Sequence, residues 1–280
     1  MKPMWIAGIA LLGLTGLAGA CLCIVGCSLR QPTPGGGIAK NNLEAPAADA
    51  VPSEMAASAP EFTLGARRVG GDLEASIAFT NGRYRSGECQ ITTPLPEGYP
   101  DPTPPGAIDV KRYPLVRRAE IGGTMEPDWG MNFAFFPLFN HIKRREIAMT
   151  SPVEMNYEGL RAEGSEKPSS WTMSFVYRTS ELGAAGVDPK DERILVEDIP
   201  PMTVVSIGLQ GPYKLALVNN GLAELRRWLA GQSEWQAEGE PRALFYNGPE
   251  APAQMKWSEI QIPVGRRSLP AGESGIAPQH

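Results

Sequence analysis

The chain has 280 residues, enough for one or two domains, and with 42% hydrophobic and 20% charged residues it has the make-up of a globular protein with a sizeable core. Its 26 basic and 31 acidic residues give a net charge of −5. No clustered Lys/Arg run supplies the positive surface that a phosphate backbone needs, so the charge argues against a nucleic-acid partner.

The first stretch, residues 1–29, places Lys2 before a run that carries no charge from Pro3 to Leu29. The run is long enough to span a bilayer. Lys2 and the apolar residues 6–17 also have the order of an export signal. Ile24-Val25-Gly26-Cys27 resembles the lipobox of bacterial lipoproteins, which implies acylation of Cys27 and removal of everything before it. An uncleaved anchor, or a cleaved soluble export signal, are the alternatives. Each places the rest of the chain outside the cytoplasm, in the lipoprotein and anchor readings membrane-attached at the cell envelope. Three of the four cysteines lie in this segment, so the body of the chain keeps only Cys89 and can form no internal disulfide. A lone cysteine in G-E-C-Q-I reads as a small buried filler.

Residues 30–60 are Pro, Gly, Ala and Ser with few bulky side chains. Such a segment buries too little apolar surface to offset its ordering entropy, so a disordered tether is expected there. Residues 61–105 form an extension in which alternation runs into Asn81-Gly82, a hairpin signal that predicts strands at 72–80 and 83–92. A proline-rich linker, 95–106, leads on.

The rest of the reading turns on residues 145–157, R-E-I-A-M-T-S-P-V-E-M-N-Y. Ile147, Met149, Val153 and Met155 alternate as on one face of a strand, and Pro152 requires a bulge or an edge there. I-A-M-T-S-P-V after an aromatic-rich segment resembles the signature of the SOUL haem-binding family. The likeness extends to 108–115 (I-D-V-K-R-Y-P-L), 171–178 (W-T-M-S-F-V-Y-R), 193–206 and a helix near 222–229, all in the family's order, and covers residues 106–264. It implies an α+β fold: a distorted antiparallel β-barrel of two pseudo-repeated ββαββ-like halves with two flanking helices, a shape shared with bacterial effector-binding domains. The expected elements are strands 107–113 running on to 121, a helix within 129–142, strands 147–155 and 171–177, then strands 194–197 and 203–209, a helix 213–230, and strands 243–247 and 256–263. Val218, Leu222, Leu225 and Leu229 give the second helix its apolar stripe, and Gly231 stops it. Residues 265–280 read as a disordered tail.

The function implied by the resemblance is non-catalytic binding of haem or a related tetrapyrrole, for carriage or buffering. The segment W-G-M-N-F-A-F-F-P-L-F-N-H-I holds four of the eight phenylalanines. Met131, Phe133, Phe135 and Phe136 offer an apolar wall for a macrocycle face. Lys143, Arg144 and Arg145 follow as propionate partners. Of the two histidines, His280 is terminal and His141 is the one plausible imidazole for iron, although family members with an axial histidine carry it elsewhere. Against this stand the blander readings of a core stripe, a solvated basic turn and a helix-end histidine. No G-x-S-x-G, H-E-x-x-H, paired C-x-x-C or phosphate loop is present beyond residue 30. An enzyme would have to use a carboxylate such as Glu146 or Glu154. Other readings are a binding module for different apolar or amphipathic ligands and a ligand-free scaffold.

Overall fold

The computed structural model describes residues 65–267. The expected signal or anchor, Cys27, the tether and nearly all of the tail lie outside the described residues. Among those described, no helix is long and apolar enough to cross a membrane.

The elements run β1 (Gly65–Gly71), β2 (Ala78–Thr80), β3 (Arg83–Ser86), β4 (Cys89–Ile91), β5 (Ala107–Tyr113), β6 (Val116–Gly123), α1 (Pro127–Arg144), β7 (Val153–Glu158) and β8 (Ser170–Val176). They continue with β9 (Gly186–Asp188), β10 (Asp191–Ile199), β11 (Met202–Gln210), α2 (Leu215–Ala230), β12 (Trp235–Ala237), β13 (Arg242–Phe245) and β14 (Trp257–Arg266). The main sheet has the order β1-β5-β11-β14-β13-β7-β8-β6-β10-β9, with β12 attached to β14, and its paired strands are antiparallel. The α+β class therefore stands, but the barrel does not close. The sheet ends at β1 and β9, and each meets its neighbour with a register shift, at Arg68/Gly70 and Asp191/Leu195. Such irregularities twist an edge away from further pairing.

Strand alternation sorts the sheet into two unlike faces. Val110, Ala119, Ile121, Met155, Met173, Phe175, Val205, Ile207, Ala243 and Ile260 point to one side, where α1 and α2 lie. From α1 come Ala134, Leu138 and Ile142, and from α2 Val218, Leu222, Leu225 and Leu229, each set at helical spacing. Pro137 sits inside α1 without ending it; the missing donor removes one i→i−4 bond, and the packed inner face holds the rest.

The opposite face carries Lys111, Arg118, Glu154, Ser206, Arg242, Glu259 and Gln261, and most of it is nevertheless buried. What buries it is the extension. The Asn81-Gly82 turn has both residues at positive φ, 53° and 73°, as the hairpin signal requires. The predicted hairpin is shorter than expected and gains a third strand, giving a small sheet β2-β3-β4. Its Ile77, Tyr84, Cys89 and Ile91, with Leu95 and Tyr99 of the linker, pack on Tyr113, Val204, Leu244, Tyr246 and Trp257. Cys89 is the filler its context implied: it is buried, its thiol meets the carbonyl of Lys256 at 3.5 Å, and burial, aided by Glu88, pushes its pKa up to about 11.

The signature stretch differs from the expected strand. β7 starts only at Val153, directly after Pro152, which has no N–H to give a ladder. Residues 147–152 are instead an irregular connection. The Thr150 hydroxyl donates to the Val176 carbonyl at 2.5 Å, and Ser151 donates its N–H to Pro94 O and its hydroxyl to Thr93 O, at 2.9 and 3.0 Å. The motif thus ties α1, β8 and the extension together. β1, β9 and β12 were not foreseen.

Candidate functional site

The periodicity of α1 divides its aromatic residues between two faces. Gly130, Ala134, Leu138, His141 and Ile142 are buried against the sheet, and Met131 and Phe135 pack on the same core from its flank. Phe135 meets Phe175 with ring centroids 5.2 Å apart. At i, i+4 and i+7 on the other side, Trp129, Phe133 and Phe136 are 70%, 67% and 66% exposed, and Phe139, also exposed, follows at i+3 from Phe136. The expected wall of Met131, Phe133, Phe135 and Phe136 is thus two surfaces. Its outer part is an apolar strip about 10 Å long at 1.5 Å per residue. Isolated exposed hydrophobics are ordinary on a protein surface, whereas a contiguous row of large ones marks a place where something docks.

His141 faces inward and is fully buried. Its Nδ1 meets Asp188 Oδ2 across to β9, and its Nε2 meets the Tyr177 hydroxyl at 2.6 Å. Burial is the largest influence on this imidazole and holds its pKa below the ordinary value, although Asp188 acts the other way. The neutral ring therefore donates from Nδ1 to the carboxylate and accepts the phenol proton at Nε2. Tyr177 fits that role, since burial pushes its pKa up to about 12. Burial also acts to raise Asp188, but the Lys190 N–H, His141 and Arg144 outweigh it and hold the carboxyl below its usual value.

The basic triplet is divided as well. Arg144 reaches Asp188 Oδ2 at 3.1 Å and Arg145 at 3.7 Å. Lys143 is exposed and makes no ion pair among the described residues. By helical spacing it lies on the Phe136 side of α1, two turns on. Both nitrogens of His141 are engaged within the core, so in this geometry the outer strip presents aromatic surface and a lysine rather than an imidazole. Among the described residues no group of three or more His, Cys, Asp or Glu could hold a metal ion.

Glu146, at positive φ, is exposed in the turn after α1. Glu154 is not on a solvent face. It accepts from the Tyr99 hydroxyl at 2.8 Å and is flanked by Arg118 and Arg242, each at 3.4 Å. A carboxylate so enclosed is a poor base for an external substrate. Sequence reasoning did not pick out Trp129, whose place in the strip follows from its position four residues before Phe133. Nor did it pick out Asp188, whose only local signal is its place in a short edge strand.

The described region is thus a sheet with two helices on one side, one of which shows a row of aromatic residues to the exterior. Residues 100–263 match the family model described as SOUL heme-binding protein, and the chain belongs to that family. No curated protein matches the chain. Among solved structures it is similar to the EcmrR–DNA complex, at 16% identity with a TM-score of 0.45, over 56% of this chain and 56% of that one. The chain thus spans little more than half the length of that relative. It is also similar to a hydrolase from Listeria innocua (13% identity, TM-score 0.41, 59% of this chain and 94% of that one). A third likeness is to a protein bound to tetraphenylphosphonium (10% identity, TM-score 0.35, 56% of this chain and 93% of that one).

Proposed function

We propose that this protein binds haem or a related tetrapyrrole without covalent attachment, as a carrier or buffer, with the macrocycle lying on the outer face of α1. The supporting observation is the exposed row Trp129, Phe133 and Phe136 in a chain of the SOUL family. A flat apolar ring gains most from aromatic surface that is already ordered, because little side-chain freedom is lost on binding. Phe135 and Met131 brace the strip from beneath. Lys143 is the cation best placed for a propionate, and Arg144 and Arg145 reach one only by sharing themselves with Asp188. Haem, when bound, would supply its iron chemistry. The residues of the strip fit its ring face and supply no imidazole, so His141 acts as a ligand only if α1 rearranges.

In the same reading, residues 1–29 deliver the domain across a membrane and hold it there, by acylation of Cys27 or as an anchor, with 30–60 as the tether. The strand order β5-β11-β14-β13-β7-β8-β6-β10 reverses onto itself when the set β5, β6, β7, β8 is exchanged for β10, β11, β13, β14. This supports two repeated halves related about the β13/β7 pair.

The test is an absorbance titration of the full chain in neutral nanodiscs with haem, beside Phe133→Ser/Phe136→Ser and His141→Ala. Saturable binding that the double substitution abolishes supports the strip as the site. A Soret band that moves in His141→Ala would instead make His141 the ligand. The absence of saturable binding would remove the haem reading.

A further inference from the structure

A second site lies at the other helix. Between α2, the connection from β7 to β8 and the strand β12 is a cavity of about 300 Å³, at the lower end of the range for ligand pockets. Its floor is apolar: Leu222 and Leu229 of α2, Ile262 of β14 and Pro241, all buried. Around that floor stand three guanidinium groups, Arg161, Arg226 and Arg267.

None of the three makes an ion pair with a carboxylate among the described residues, although the chain as a whole carries a net charge of −5. Each is instead fixed by backbone carbonyls. Arg226 donates to Leu160 O and, at 3.1 Å, to Ala162 O; Arg161 donates to Ala237 O at 3.4 Å; Arg267 donates through Nε to Trp235 O at 3.0 Å. A guanidinium carries five N–H donors, so these bonds orient each group while leaving donors over. Glu163 also lines the cavity and Glu240 accepts the Arg161 backbone N–H at 2.9 Å, but neither carboxylate is in an ion pair with the three guanidinium groups, unlike those at Arg144, Arg118 and Arg242.

We infer that this cavity binds a small organic acid, with its apolar body on Leu222, Leu229 and Ile262 and its carboxylate held by Arg161, Arg226 and Arg267. Three oriented cations at the rim of an apolar floor match a ligand with one charged end and one greasy end. The volume fits a medium-sized acid rather than a macrocycle, so the site is separate from the strip on α1 and stands whether or not that strip binds haem.

The test is calorimetric titration of the full chain in neutral nanodiscs with 4-phenylbutyrate, with 4-phenylbutanol and empty nanodiscs as controls. Saturable heat is expected from the acid and not from the alcohol. Arg161→Gln/Arg267→Gln should weaken it by about tenfold or more, the loss of charge-assisted hydrogen bonds. Ala237→Trp, which fills the cavity from an exposed strand position and leaves the arginines in place, should abolish it. Phe133→Ser/Phe136→Ser should leave it unchanged. Equal binding of the alcohol, wild-type affinity in the arginine and Ala237 variants, or no saturable heat would each overturn the inference.

Discussion

Lys111 Nζ lies 2.8 Å from both carboxylate oxygens of Glu259, and neither side chain has any exposed surface. The pair crosses from β5 to β14 over Ser206 of β11, whose hydroxyl donates to the same carboxylate at 2.5 Å. Tyr246 at 2.6 Å, Gln261 at 2.8 Å and the Thr103 N–H at 2.8 Å complete its acceptor sites. Removing one partner leaves an uncompensated buried charge, so Lys111→Met is expected to cost about 3–5 kcal/mol. The double variant Lys111→Met/Glu259→Leu should cost clearly less than the sum of the single changes, because it removes both charges together. Urea denaturation of the four proteins of this cycle measures the coupling, and simple additivity would show that the two charges do not act as a pair.

His141 gives the protein a pH-sensitive joint between α1 and β9. Burial holds its folded pKa below the ordinary value, so the native state binds fewer protons there than the unfolded chain does. That stability is whole above the unfolded pKa of about 6.5 and is lost as pH falls through the lower folded value. Asp188, also lowered on folding, adds a separate loss below the ordinary carboxylate range. Thermal midpoints measured from pH 8 to pH 2 should therefore begin to fall near pH 6.5 in the wild-type protein. In His141→Gln that upper limb should vanish and the acid limb remain, with stability at pH 8 lower by roughly 1–3 kcal/mol through the altered bonds to Asp188 and Tyr177. An unchanged profile in the variant would show that the histidine does not set the limb.

The contact of the linker with the sheet depends on the absence of a side chain at Gly208. A Cβ there would lie 2.2 Å from Pro104 O and 2.3 Å from Thr103 O. At the same place the Gly106 N–H donates to Gly208 O at 2.9 Å, and Trp257 Nε1–H donates to Thr103 O at 2.7 Å. Gly208→Val should lift residues 101–106 from the sheet and wet the Lys111–Glu259 network. Hydrogen exchange should then rise in 94–106 and in β14 while α1 keeps its protection. Exchange rising equally throughout would point to general destabilisation instead.

The two helices and most central strands could be read from the chain because their apolar spacing is regular: Leu222, Leu225 and Leu229 fix α2, and the alternation in β5, β8 and β11 fixes those strands. The aromatic segment was harder, because phenylalanines fall on both sides of α1. Its phase is carried by the quieter residues Gly130, Ala134, Leu138 and Ile142, and His141 shares their face. The polar face of the sheet was not legible at all. Alternation assigns Lys111, Glu154 and Glu259 to solvent, the usual outcome for an antiparallel sheet covered on one side. What buries them is an irregular, proline-rich segment whose own sequence has no periodicity to reveal its partner.

If the outer strip of α1 is the proposed binding surface, its function separates cleanly from stability. Trp129, Phe133 and Phe136 are each about two-thirds exposed, so changing them removes little buried surface. Substitutions of that kind normally stay within about 0.5 kcal/mol. Phe133→Ser/Phe136→Ser should therefore leave the thermal midpoint nearly unchanged while abolishing haem uptake, and Phe135→Ser should do the reverse in part. Phe135 packs on Phe175 and the core, and truncating a phenylalanine to a small residue in such a place costs about 3–5 kcal/mol. Paired scans of thermal midpoint and haem absorbance on these two proteins separate the roles. If the serine pair unfolds the protein, the strip belongs to the core. If it leaves both midpoint and haem binding intact, the macrocycle binds elsewhere.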